Sequence, residues 1–119
     1  AVAAWAAQVD ALAQEWEQLA DRLLARCRDD AELVGAAAHE FLEYSGHVVV
    51  SWLWLRMAQV AARRLAAGDD LRDFLAGKLA TARFWFERLL PRTRHHLASL
   101  QAGSDSLLAI SEQQLDAMY

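Results

Sequence analysis

Cysteine, proline and glycine are nearly missing from this 119-residue chain, at one, one and five residues. The single Cys27 excludes an internal disulfide, so a small secreted fold held by cross-links is not available, and a reducing compartment such as the cytoplasm is expected. Near the end of a helical pattern, it reads as a small buried hydrophobe rather than a reactive thiol. Long apolar runs are also absent. Val48 to Leu55 is interrupted by Ser51 and closed by Arg56, far short of the roughly 20 residues that a membrane span needs. No basic segment precedes the apolar residues 1–9 and no cleavage motif follows them, which argues against a signal peptide. There is no glycine-rich phosphate loop, no Cys-x-x-Cys pair and no nucleophile elbow, so a self-contained enzyme is not expected.

What remains is rich in helix formers. Hydrophobic residues make up 55% of the chain, many of them alanine, and β-branched residues are few outside Val48-Val49-Val50. Alanine, leucine, arginine and glutamate give up little side-chain freedom in a helix, so the composition points to an all-α domain large enough to bury a real core. The pattern predicts an antiparallel bundle of three long helices plus a short C-terminal one. Residues 1–119 form a single bundle domain in this reading. The chain opens at Ala1, without methionine and already in helical register, so it is expected to be a piece of a longer polypeptide.

Val2, Trp5, Val9, Leu12, Trp16, Leu19 and Leu23 recur at alternating steps of three and four, which predicts a first helix over Val2–Arg28 with one buried stripe. Asp29-Asp30 reads as the N-cap of a second helix running from Ala31 to Ala67, stopped by Gly68 and weakened at Gly46. Its segment Val48–Leu65 is apolar on nearly every side, the mark of a helix at the centre of a bundle. Asp69 and Asp70 read as the cap of a third helix, with a core stripe of Leu75, Leu79, Ala82, Phe86, Leu89, Leu90, Leu97 and Leu100. Pro91 lacks an N–H and crowds the Glu87 carbonyl, so a kink is expected there. After a break at Ala102-Gly103-Ser104 and a connection to Ala109, Ser111 and Gln114 form a capping box for a last helix, Glu112–Met118.

Charge is uneven. Residues 1–45 carry three basic and nine acidic side chains, whereas residues 78–96 carry Lys78, Arg83, Arg88, Arg92 and Arg94 against Glu87 alone. The two regions either pair within one bundle or leave a basic face for an anion. The overall net charge of −4 argues against nonspecific nucleic-acid binding. His39, Glu43 and His47 lie four apart on one helical face, but the spacing is neither Glu-x-x-His nor His-Glu-x-x-His and no second copy supplies further ligands, so they read as a solvated polar edge and no metal is expected. His95-His96, beside Arg92 and Arg94, reads as part of an exposed basic face.

The segment from Gly77 to Arg92, with Phe84-Trp85-Phe86 at its centre, puts three aromatics about 100° apart around one helix, so no single stripe can bury them all. This segment, together with Ser51–Ala58 and Ala102–Ile110, resembles the C-terminal extension of a branch of acyl-CoA dehydrogenases that includes the methylthiopropanoyl-CoA dehydrogenases. The resemblance covers roughly residues 45–112. It implies a parent enzyme that oxidises an acyl-CoA thioester to the 2-enoyl product, with a glutamate taking the α-proton and FAD accepting the β-hydride. Both belong to an upstream catalytic core. None of Glu15, Glu40, Glu43 and Glu87 sits in the family's catalytic motif, so no catalytic or cofactor-binding residue is expected in this chain.

The resemblance therefore implies a structural role: packing on the catalytic core of the same polypeptide or across a subunit interface of a homo-oligomer. The candidate docking surface is Phe84 and Trp85, rimmed by Arg83, Arg88 and Arg92. Two alternatives stand beside it. One is a stand-alone helical interaction module. The other is a bundle that binds a nucleotide or CoA phosphate through Lys78, Arg83 and Arg92.

Overall fold

In the computed structural model, which describes residues 1–119, the chain is built entirely from helices. They are α1 (Val2–Asp29), α2 (Leu33–Ala66), α3 (Arg72–Phe84), a π-helical turn (Trp85–Leu89), α4 (Arg92–Gln101), α5 (Asp105–Leu108) and α6 (Glu112–Ala117). The expected a/d stripe buries α1: Trp5, Val9, Leu12, Leu19 and Leu23 face inward.

Two buried clusters set the topology. In one, Leu12, Leu19 and Leu23 of α1 meet Leu33, Ala37, Tyr44 and Val48 of α2 and Leu100 of α4. In the other, Trp5 and Val9 of α1 meet Leu55 and Ala58 of α2, Ala82 of α3 and Phe86 of the π turn. The start of α1 therefore lies against the second half of α2 and its end against the first half, which makes the pair antiparallel. The third helical segment runs back along both. Trp5 and Phe86 stack with ring centroids 5.0 Å apart and planes 6° from parallel.

Polar side chains bolt the helices together where the stripe is interrupted. The Trp16 indole donates to Ser45 Oγ at 2.9 Å, and the Trp85 indole donates to Ser51 Oγ at 2.8 Å. Ser51 in turn donates to the His47 carbonyl at 2.6 Å. Tyr44 and Arg94 both donate to the carboxylate of Glu15, joining α2, α4 and α1 at one point. The Arg94 guanidinium holds the Glu15 carboxyl below its usual range, while burial, then the bond to Glu15, pushes the Tyr44 phenol up. Arg26 reaches the Leu100 and Ala102 carbonyls at 3.0 and 3.2 Å, tying down the end of α4. The acidic first helix and basic third segment thus do pair within the bundle, at Glu15–Arg94.

Helix termini depart from the expected caps. Asp29 is the last residue of α1, and Asp30 follows it in extended backbone with its carboxylate accepting from Ser104 Oγ at 2.8 Å. That long-range bond takes the side chain away from capping, and α2 starts three residues later, at Leu33. At the other end, Gly68 takes φ +78°, and the bonds Gly68 N–H to Leu65 and Asp69 N–H to Arg64 close a Schellman turn, as the glycine predicts. Asp69 accepts from the Leu71 backbone N–H at 2.8 Å and from Arg64 at 2.7 Å, so it shapes the turn before α3 and does not cap the helix. Gly46 causes no break: α2 runs through it without interruption.

The third segment divides at the proline. A turn at Leu90–Pro91 separates α4 from what precedes it, and the helix has already widened, with Leu90 N–H bonding to Trp85 O at 2.9 Å. Pro91 cannot donate to Glu87, and the π turn absorbs the mismatch while rotating Trp85 and Phe86 towards α2 and α1. The connection after Ser104 holds a helical turn, α5, that composition did not announce, and the Ser111–Gln114 capping box on α6 forms as expected.

Candidate functional site

The molecule measures 68 × 35 × 15 Å along its principal axes, with a radius of gyration of 19.8 Å. A compact domain of this length would have a radius near ~14 Å. Only 19 of 119 residues are buried. A slab this thin cannot cover both sides of its central helix, and α2 shows the consequence.

Tyr44, Val48, Ser51, Leu55 and Ala58 of α2 are buried against α1 and the third segment. On the opposite face Leu42, Val49, Leu53 and Val60, at steps of seven, four and seven, lie exposed. Trp52 and Met57 flank them, also exposed. The all-round apolarity of Val48–Leu65 had implied a helix enclosed by its own bundle. Instead, α2 is enclosed on one side only, because α1 and the third segment pack against the same half of it. The open stripe runs for about 27 Å at helical rise.

Near its end, a groove between α2 and α3 continues it, lined by Met57, Val60, Leu75 and the exposed ring of Phe74, with Arg56, Arg64 and Lys78 around it. Arg56 lies 6.0 Å above the Trp52 ring, and Lys78 lies 5.3 Å above the Phe74 ring and 5.8 Å above that of Trp54. Apolar side chains with a polar, charged rim have the make-up of a protein interface, and clustered exposed apolar side chains mark interaction surfaces.

The expected docking residues separate in the structure. Phe84 stays 56% exposed. Trp85 turns inward, with its indole N–H on Ser51 and its ring 5.5 Å from that of His47, so it is a bundle anchor and not an outward contact. Arg83 pairs with Glu87 at 2.7 Å, one turn along the same exposed surface. Arg88 and Arg92 are exposed and enter none of the four salt bridges. Lys78 lies over two rings, Arg83 has its own carboxylate, and Arg92 lies about 20 Å further along the helix from Lys78. The three do not converge on a phosphate.

The residues that sequence reasoning passed over are Trp52, Leu53, Met57, Val60 and Phe74. Their signal in the sequence is the apolarity of α2 on all sides, which does not distinguish cover by the chain's own helices from cover by another body. The polar residues fare differently too: His96 is half-buried and bonded to Glu40, not part of an exposed basic face.

Residues 1–111 match the family described as "Acetyl-CoA dehydrogenase C-terminal like". The chain belongs to that family. The match spans both core clusters, the open stripe of α2 and the broken third segment. The family domain is also similar to a broad-specificity linear acyl-CoA dehydrogenase, FadE5, of Mycobacterium tuberculosis (strain ATCC 25618 / H37Rv), at 40% identity over 60 residues. That stretch is 49% of this chain and 10% of the relative, so it reports on one small part of a much longer enzyme.

Proposed function

We propose that this family domain is the accessory C-terminal part of an FAD-dependent acyl-CoA dehydrogenase, and that it docks on the catalytic body, or on a second subunit, through the outer face of α2. The observation that carries this reading is the uncovered stripe of Leu42, Val49, Leu53 and Val60 in a domain of a dehydrogenase family. The parent oxidises an acyl-CoA to its 2-enoyl-CoA with FAD as hydride acceptor. The flavin, the CoA site and the base lie upstream. The methylthiopropanoyl-CoA branch is the subgroup to test first. The face extends onto α3 through Phe74, which lines one groove with Met57 and Val60; Phe84, Arg88 and Arg92, also exposed, are a separate candidate contact.

The test is to purify the longer polypeptide that carries this domain, measure bound flavin and its bleaching by acyl-CoA, and compare it with the Leu53→Asp, Met57→Asp double variant. A yellow, acyl-CoA-reducible protein whose assembly or heat resistance falls in the double variant supports both parts. A polypeptide without flavin sinks the enzyme reading. A flavoprotein indifferent to both aspartates sinks the docking face.

A further inference from the structure

The seam between α2 and α4 carries a second feature, independent of the proposed function. Glu43 and His47 sit one turn apart on α2, and the turn at Pro91 delivers His96 of α4 to the same point. One ligand atom of each lies within 4.8 Å of the other two. All three residues are half-buried. The imidazoles lie 5.5 Å apart with planes at 51°, so they face one another without stacking.

Both rings have their orientation set by a hydrogen bond on the same nitrogen. His47 Nδ1 lies 2.7 Å from the Glu43 carbonyl, which can only accept, so Nδ1 carries the proton. His96 Nδ1 is held by the Glu40 carboxylate. With Nδ1 engaged, Nε2 is the ring nitrogen left free to bind a cation on each neutral imidazole. A carboxylate or backbone carbonyl behind a histidine is the usual outer support of a metal-bound imidazole. The Trp85 ring, 5.5 Å from His47 and anchored to Ser51, walls one side against water. Two carboxylates and no lysine or arginine take part in the cluster.

The geometry points to a site for a divalent transition-metal cation of the zinc class, with Glu43, His47 and His96 as ligands and Glu40 positioning His96. Two imidazoles and one carboxylate suit Zn²⁺ over the hard cations Mg²⁺ and Ca²⁺, which prefer all-oxygen cages. Three protein ligands leave a coordination position for water or another donor. Glu40, His95 and His96 form an overlapping trio, but Glu40 is already committed to His96 and His95 is exposed, so the deeper trio is the stronger. A bound ion would clamp α4 to α2 across the break at Pro91, the one place where the third segment is not a continuous helix.

The experiment strips the chain with a chelator and then titrates it with Zn²⁺ against a chromophoric competitor, and with Co²⁺ while recording its visible bands. The expected result is one ion per chain, a tetrahedral Co²⁺ spectrum and a melting temperature that rises with Zn²⁺. His47→Gln and His96→Gln should each weaken binding by about tenfold or more, and Glu40→Gln by about 10–100-fold as an outer-support change. His95→Ala and His39→Ala should leave affinity unchanged. Circular dichroism of each variant separates ligand loss from unfolding. Absence of saturable one-to-one binding at about 100 µM Zn²⁺ (an affinity near 5.5 kcal/mol) would overturn the site. So would undiminished affinity in a folded His47→Gln, His96→Gln chain, or dependence on His95 in place of His47.

Discussion

The two faces of α2 are made of the same kinds of residue and have opposite surroundings. Leu55 on the inner face packs with Trp5, Ala58 and Phe86, whereas Leu53, two residues earlier, is exposed on the outer face. The inner face is closed by α1 and the third segment and bolted by Ser51 and Tyr44. The outer face has no helix over it. Side chains left this exposed contribute less to the fold than those of the inner face. Under the proposed function, the outer face is the one covered by the catalytic body or by a second subunit.

The sharpest way to break this comparison is a pair of truncations in the isolated chain. Leu55→Ala should cost about 2–5 kcal/mol in denaturant unfolding, the usual range for emptying a buried leucine site. Leu53→Ala should stay within about 0.5 kcal/mol, as surface changes do. Similar losses at both positions, at all protein concentrations, would mean that the outer face is part of the core. A loss at Leu53 that appears only at high concentration would sharpen the comparison differently, by identifying a second copy as the cover.

A smaller effect probes the bolts of the inner face. Glu15 is held below its usual value of 4.5, first by the hydrogen bond from Arg94. Because the folded-state value is the lower one, the stabilisation is present above the unfolded value and is lost as pH falls through the folded one. Arg94→Met should therefore cost stability at about pH 6, by no more than about 1 kcal/mol because the guanidinium is largely in solvent. The gap from wild type should narrow as the pH drops below 4.5. A gap that is flat across this range would remove the ion pair as its cause.

A gain in place of a loss is expected at Gly46 on the outer side. A Cβ there meets nothing within 4 Å, and the residue is helical. Gly46→Ala should raise stability by about 0.5–1 kcal/mol, seen as an increase in melting temperature of the isolated chain. A decrease would show that something approaches the backbone closely at this point.

Most of the helical plan was legible because local signals sufficed. The heptad stripe of α1 predicted its buried face through Leu23, Gly68 marked the end of α2, and Ser111 and Gln114 marked the start of α6. The caps failed where an aspartate had a better distant use: Asp30 bonds Ser104 from across the molecule, and nothing nearby in sequence announces that. The exposure of the central aromatics was half legible. Phe84 does face outward, but the π turn before Pro91 swings Trp85 inward, and a turn of unusual width cannot be read from residue spacing that assumes a regular helix. The open side of α2 was invisible for a different reason, since apolarity reports that a residue will be covered without saying by which body.

The sequence by itself determined that this chain is all-helical, where its three long helical segments and its last short helix roughly lie, and which stripe of α1 is buried, because periodicity and glycine act within a turn or two of the backbone. It also carried the family likeness. Only the tertiary structure decided that α2 has one covered and one bare face, that Glu15, Tyr44 and Arg94 meet, and that His96 joins Glu43 and His47. Those depend on contacts between residues tens of positions apart, where packing of whole helices sets the distances and no local pattern records them.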